Sequence, residues 1–199
     1  MNRIKLFLVL AIPMLLLIGA QAALATTVQK LTLQDLAKKS DSIVMARVDD
    51  AVASWDAGHK EIYTFITLSV LQPVKGNKGA TTIMLRQLGG TVGNIASVVP
   101  GMPSFRKGEE VVVFLTQKDA AGYPWVMGLQ QGKYTVTTGK DGVKMVRNDL
   151  AGTELLSVNG KHVDSTTAPD QPLNAFLDGI KTTLNVDGKI QVDPNPPTE

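Results

Sequence analysis

At 199 residues, with 20 Lys+Arg against 18 Asp+Glu, no cysteine and two histidines, the chain is sized for one domain. The missing cysteines exclude disulfides, thiolate zinc sites, cysteine nucleophiles and lipid attachment through an N-terminal Cys, and two histidines exclude a multi-histidine metal centre. If Arg3 and Lys5 leave with an export signal, basic and acidic residues balance, so overall charge does not point to nucleic acid.

Met1–Lys5 carries two positive charges, and Leu6–Ile18 is an apolar run broken by Pro13. Ala20-Gln21-Ala22 and Ala23-Leu24-Ala25 then supply small-x-small cleavage patterns. This is the order of a secretory signal peptide. The alternative, a membrane anchor, asks for a longer apolar run. Cleavage after Ala25 would make Thr26 the first residue. The expectation is a cleaved signal at 1–25, a single domain at 26–186 and a flexible tail at 187–199. The protein is then periplasmic or secreted, with no membrane contact after cleavage.

Thr32 as N-cap, Asp35 in the first turn and Lys38-Lys39 in the last predict a short helix over Thr32–Lys39. Ile43–Val48 reads as a strand. Ile62–Leu71 is a longer one, with Ile62, Ile66, Leu68 and Val70 on one face. Asp50–Lys60 connects them through Asp56-Ala57-Gly58. Pro73, Gly76 and Gly79 close the long strand, and Thr81–Leu88 is the next. Gly89–Gly108 is rich in glycine and proline, so it reads as a long loop with a short strand at Ile95–Val99. Glu110–Thr116 is a strand apolar on both faces. Tyr123–Leu129 and Lys133–Thr138 read as strands, followed by weaker ones at Val143–Arg147 and Leu155–Val163. Asp141-Gly142 and Asn159-Gly160 are hairpin signals. Leu173, Phe176, Leu177, Ile180 and Leu184 predict a helix over Pro172–Leu184 with Pro172 in its first turn. Short strands with frequent turns indicate a sandwich or a closed barrel, and a small barrel needs fewer elements to enclose a core.

Ser40-Asp41-Ser42 leads into Ile43-Val44-Met45-Ala46-Arg47-Val48, followed by Tyr63–Leu71 and then Lys75-Gly76. This pattern resembles the first two strands of the tissue inhibitor of metalloproteinases and netrin-module family, which implies an OB-type barrel. Leu31–Val136 also resembles exported bacterial proteins of uncharacterised role. In those, Gly-Gly-x-x-Gly (here Gly89–Gly93), Pro-x-Phe-x-x-Gly-Glu (Pro103–Glu109) and Gln-Gly-Lys (Gln131–Lys133) recur. In the inhibitor family the α-amino group and carbonyl of an N-terminal Cys chelate the protease zinc. Here Thr26 would stand about the same distance before Ser40-Asp41, with no cysteine to pin it.

Several residues invite chemistry. His59 near Asp56 and Glu61 could be read as a metal cluster, against a solvated turn. His162 after Asn159-Gly160-Lys161 reads as a hairpin side chain, and neither histidine accompanies a nucleophile-elbow sequence. Gly89–Gly93 and Gly128–Tyr134 could cradle anions, but neither precedes a helix with phosphate-loop spacing, so both read as turns. Glu109 and Glu110, adjacent in a strand, would point to opposite faces. Trp55, Tyr63, Trp125 and Tyr134 could form a stacking platform, against ordinary core packing.

The expectation is therefore a mainly β protein: a small closed antiparallel barrel, OB-like, of five or six strands with a short N-terminal and a C-terminal helix. It is expected to be a non-enzymatic module that binds a protein outside the cytoplasm, in its sharpest form an inhibitor or accessory factor of a secreted metalloprotease. Thr26, Thr27, Gly89, Gly90, Gly93, Pro103 and Phe105 are its expected partner-binding residues. No cofactor, metal site or nucleic-acid partner is expected. The alternatives are a small-ligand or glycan-binding barrel using Trp125 and Tyr134, and a hydrolase using a histidine.

Overall fold

The computed structural model describes residues 28–77, 79–148, 150, 155–156, 162–163 and 169–188. In chain order the elements are β1 (Val28–Gln29), α1 (Leu33–Lys39), β2 (Ser42–Trp55), β3 (Ile62–Lys75), β4 (Thr82–Leu88), β5 (Gly90–Val92), β6 (Ile95–Ser97) and β7 (Glu110–Leu115). After a 3-10 turn at Leu129–Gly132 come β8 (Lys133–Thr138), β9 (Lys144–Arg147), β10 (Leu155–Leu156), β11 (His162–Val163), β12 (Gln171–Pro172) and α2 (Leu173–Gly188).

Helix α1 forms where local chemistry dictates. Thr32 Oγ1 accepts from the Asp35 N–H (3.0 Å) and the Asp35 carboxylate accepts from the Thr32 N–H (3.1 Å). This reciprocal box satisfies two donors at the helix start. The other end is closed from a distance. Lys75 Nζ, at the end of β3, donates to the carbonyls of Ala37 (2.9 Å), Lys38 (3.1 Å) and Ser40 (2.5 Å). A cation at a helix C-terminus meets both unsatisfied carbonyls and the negative end of the dipole. Gly76 follows at φ +59°, and a Cβ there would stand 2.9 Å from the Asp41 carbonyl. Ser40-Asp41 and Lys75-Gly76, far apart in sequence, thus form one joint.

The main sheet has seven strands in the order β12-β9-β8-β7-β2-β3-β4, antiparallel throughout. Small sheets pair β5 with β6, and join β1, β10 and β11 in that order. Strands β2 and β3 are 14 residues each, longer than the sequence pattern predicts. Their far halves stay in register, Asp50 to Trp55 opposite Thr67 to Ile62, although the β2 side alternates between exposed and half-buried. Irregularities around Val44, Met45 and Asp49 let the hairpin bend. Pro73 fits opposite Val44 because β4 pairs β3 only from Tyr63 to Ser69, leaving the other edge there without a ladder.

Two cores lie on opposite faces. Ile43 and Met45 of β2, Val112 and Phe114 of β7, Val136 and Val146 face Leu36 and Ala37 of α1 and Leu173, Phe176, Leu177 and Ile180 of α2. The alternate residues Val44, Ala46, Val48, Val111, Val113 and Leu115 face Ile66 and Leu68 of β3 and Ile83 and Leu85 of β4. In a flat sheet β4 would lie about 14 Å from β7. Their sharing of one cluster shows that the β3–β4 end curls over this face.

The curl stops short of the expected closed OB-like barrel. Among the described residues the sheet is open: β4 and β12 are its edges, and no ladder joins them. Expected strand Tyr123–Leu129 is also absent; it contributes a single bridge, Leu115 to Val126, before the 3-10 turn. The reason is a shortage of backbone donors. The Tyr123 N–H is spent on the Asp119 carboxylate (3.1 Å), Pro124 has none, and the Trp125 N–H donates to Thr116 Oγ1 (3.0 Å). Between β4 and this segment the backbone contributes a bond from the Arg86 N–H to the Pro124 carbonyl (3.4 Å), beside the ion pair of the Arg86 side chain with Asp119.

Helix α2 buries the apolar stripe that its sequence predicts. Pro172 pairs with Met145 in β12 instead of entering the first turn, and the helix runs on to Gly188. Among the described residues no helix is long and apolar enough to cross a membrane. The expected signal segment at 1–25, the Asn159-Gly160 hairpin and the tail beyond Gly188 lie outside the described residues.

Lys75→Met should strip α1 of its distal cap and cost about 1–2 kcal/mol. Gly76→Ala should cost on the order of 1 kcal/mol or more, through positive φ and the clash with the Asp41 carbonyl. Urea unfolding of the two variants, with helicity followed separately from Trp fluorescence, checks both.

Candidate functional site

The Gly/Pro-rich segment folds into a hairpin, β5–β6, and a loop, 98–105, that together cover the far end of β2, β3 and β4. Between them lies a cleft of ≈ 420 Å³ lined by Ala53, Thr64, Gln87, Thr91, Val99, Met102 and neighbours. Four of the expected partner-binding residues, Gly89, Gly90, Pro103 and Phe105, line it. Gly93 does not; it sits at the tip of the hairpin, between β5 and β6. Thr26 and Thr27 lie outside the described residues.

Glycine is required at the floor of the cleft. A Cβ at Gly90 would stand 2.5 Å from Thr64 Oγ1 and 2.7 Å from the Ala53 Cβ, at φ +138°. Thr64 Oγ1 donates to the Gly89 carbonyl (2.7 Å) and the Gly89 N–H donates to Ile62 (2.7 Å), fixing the hairpin to β3. The opposite wall is held by Gln87 Nε2, which donates to the Pro103 carbonyl (2.8 Å), and by the Gln130 N–H, which donates to the Gly101 carbonyl (2.9 Å). Val98 is 86% exposed and Ile95 54%, an apolar rim open to solvent.

The chain's N-terminal segment is tied beside this loop. Gln131, buried, accepts from the Leu31 N–H through Oε1 (2.7 Å) and donates through Nε2 to the Gln29 carbonyl (2.9 Å). A primary amide that both accepts from and donates to one extended segment acts like a strand edge. The clamp neighbours Gln130, which holds the loop through Gly101. From sequence Gln131 belongs to a turn and to the recurring Gln-Gly-Lys pattern, but its clamping role is not legible there, since its partners lie 100 and 102 positions away.

Other candidates resolve differently. Asp56 Oδ1 accepts from the Lys60 N–H (2.6 Å) and the Glu61 N–H (3.2 Å), bonds that hold its carboxyl below the usual aspartate range. It staples the β2–β3 turn, and Glu61 accepts from the Tyr63 hydroxyl (2.7 Å), which raises that phenol's pKa. Among the described residues no three His, Cys, Asp or Glu side chains converge on a metal position. His59 is exposed in that turn, and only the backbone pairing of His162 is described. Glu109 and Glu110 part as expected, Glu109 to Lys133 (2.7 Å) and Glu110 to Lys144 (2.5 Å). Trp125 and Tyr134 do not form one platform. Tyr134 packs on Phe176 (4.5 Å between ring centroids) beside the helix-side core, where burial raises its pKa.

Trp125 instead belongs to a cluster that sequence reasoning missed. Arg86 of β4 ion-pairs with Asp119 (2.6 Å) and lies over the rings of Tyr63 (4.7 Å), Tyr123 and Trp125 (5.6 Å each). Asp119 also accepts from the Trp125 indole N–H (2.8 Å) and from the Ala121 and Tyr123 N–H groups. These bonds, the indole first, hold its carboxyl at about 2. Every acceptor position on Asp119 is thus engaged within the fold, and the cluster is a cross-link between β4 and the 116–125 loop.

No protein-family model matches the chain, and no curated protein matches it either.

Gly90→Ala should lower stability by about 1–3 kcal/mol and disturb the cleft floor, read by thermal melting and by amide shifts at Thr64 and Gly89. Asp119 titrates lower in the folded chain than its ordinary 3.8, so its stabilisation is complete above that value and is lost as pH falls toward about 2. The stability gap between the native chain and Asp119→Asn, measured by urea midpoints, should therefore shrink through this acid range.

Proposed function

We propose that the protein is an exported, non-enzymatic binding module whose recognition surface joins the 98–105 loop and β5–β6 hairpin to the chain's N-terminal segment. The observation that carries this reading is the Gln131 clamp. Gln131 holds Gln29 and Leu31, and its chain neighbour Gln130 anchors the loop at Gly101. Thr27 is two residues from the clamped Gln29, within about 7 Å of extended chain. The N-terminus and the loop are expected from sequence as one contact surface, and the clamp supports that reading. The exposed Val98 and Ile95 add apolar area of the kind that binding surfaces use.

In its sharper form the partner is a secreted metalloprotease, with the Thr26 α-amino group as a zinc ligand after signal cleavage. The resemblance of Ser40–Gly76 to the inhibitor family motivates that form, and the joint between Ser40-Asp41 and Lys75-Gly76 gives the resembling residues a common structural role. The test uses protein purified from the exported fraction, with its first residue determined, in inhibition assays against secreted zinc metalloproteases. The expected result is inhibition by chain beginning at Thr26 and its loss when one residue is added before Thr26. A Thr26 terminus that inhibits none of them removes the protease form.

A further inference from the structure

A second cavity adjoins the cleft and shares Pro103 and Ser104 with it. It is smaller, ≈ 130 Å³, and its walls are polar: Ser104, Arg106, Glu109, Lys133, Thr135 and Arg147 are among them. Its one carboxylate is fully engaged. Glu109 Oε1 accepts from Lys133 Nζ (2.7 Å) and Thr135 Oγ1 (3.0 Å), and Oε2 accepts from the Arg106 N–H (3.0 Å). Lys133, only 9% exposed, balances that charge while lying over the Phe105 ring (5.1 Å). The guanidinium groups of Arg106 and Arg147 remain, and among the described residues neither has an ion-pair partner. The concave wall therefore carries two positive charges that no described acidic side chain pairs.

We propose that this cavity receives a carboxylate from the partner protein, carried on an extended peptide segment whose apolar residues lie in the adjoining cleft. Arginine suits the role because its planar fork meets a carboxylate through two parallel hydrogen bonds. Lys133 holds Glu109 in place, so the cavity does not turn a like charge toward the incoming group. Pro103 and Ser104, common to both cavities, set the step between the apolar and the anionic subsites. The inference rests on the reading of the cleft as a partner surface and adds the chemistry that the partner must bring.

The test titrates nitrogen-labelled protein with three mixtures of short peptides of randomised apolar sequence. One carries an aspartate and an amidated end, one an asparagine and a free carboxyl end, and one an asparagine and an amidated end. At least one acidic mixture should bind about tenfold more tightly than the neutral one, shifting the amides of Ser104, Arg106 and Gln130 as well as those of Thr91 and Val99. Which of the two binds more tightly identifies a side-chain or a terminal carboxylate as the source. The advantage should vanish in high salt and in the double variant Arg106→Gln, Arg147→Gln. Both arginines are exposed, so the variant should melt like the native chain. Equal binding of all three mixtures, with shifts confined to the cleft, overturns the anionic subsite and leaves the cleft reading intact. No shifts with any mixture overturn both.

Discussion

Strands β2 and β7 have no solvent face from Ser42 to Ala46 and from Val111 to Leu115, and the fold is arranged around that constraint. Ile43, Met45, Val112 and Phe114 require cover on one side; Val44, Ala46, Val111 and Val113 require it on the other. The first side is met by α1 and α2. On the second, among the described residues, the sheet's own far end supplies the cover by curling β3 and β4 back over β7. Burying a fully apolar strand on both faces is worth about 1.5–3 kcal/mol for each large side chain. That gain drives the bend which the β2–β3 irregularities permit.

The cleft follows from the same curl. Curling brings β4 to the 116–125 loop, where Arg86 and Asp119 fasten it, and carries the distal ends of β2 and β3 beyond the core. There Ala53 and Thr64 lie too far out to be covered by the sheet, and the β5–β6 hairpin with the 98–105 loop covers them incompletely. The candidate site is thus the place where the two-sided core runs out of cover. Its walls are fixed by hydrogen bonds from Thr64, Gln130 and Gln87 to the carbonyls of Gly89, Gly101 and Pro103, so the opening is built and not collapsed.

What was readable in the sequence was what depends on neighbours. The box at Thr32 and Asp35 is three residues wide, and the α2 stripe repeats at helical spacing, so both helices could be placed. The run Val111–Leu115 announced a strand buried on both faces. The Gly/Pro content of 89–108 marked a loop and led to Gly89, Gly90, Pro103 and Phe105. The outer half of β2 was missed because Asp49 and Asp50 break the apolar alternation, while the ladder to β3 holds it regardless. The open sheet was missed for a different reason: closure fails because the backbone donors of Tyr123 and Trp125 are spent on side chains and Pro124 has none, within a stretch whose alternating Tyr123, Trp125 and Met127 read as a strand. Arg86 and Asp119 are 33 positions apart, and nothing local pairs them.

The Lys75 cap and the Gln131 clamp impose an order on how the chain can settle. Helix α1 has seven residues, too few to persist alone in water. Its last carbonyls wait for residue 75, and the strand before it waits for residue 131. A polypeptide growing from its amino end therefore carries this stretch unanchored until well over half of the chain exists. Residues 29 to 40, made before the strands of the main sheet, are thus fastened only after β2, β3 and β7 are there to pair.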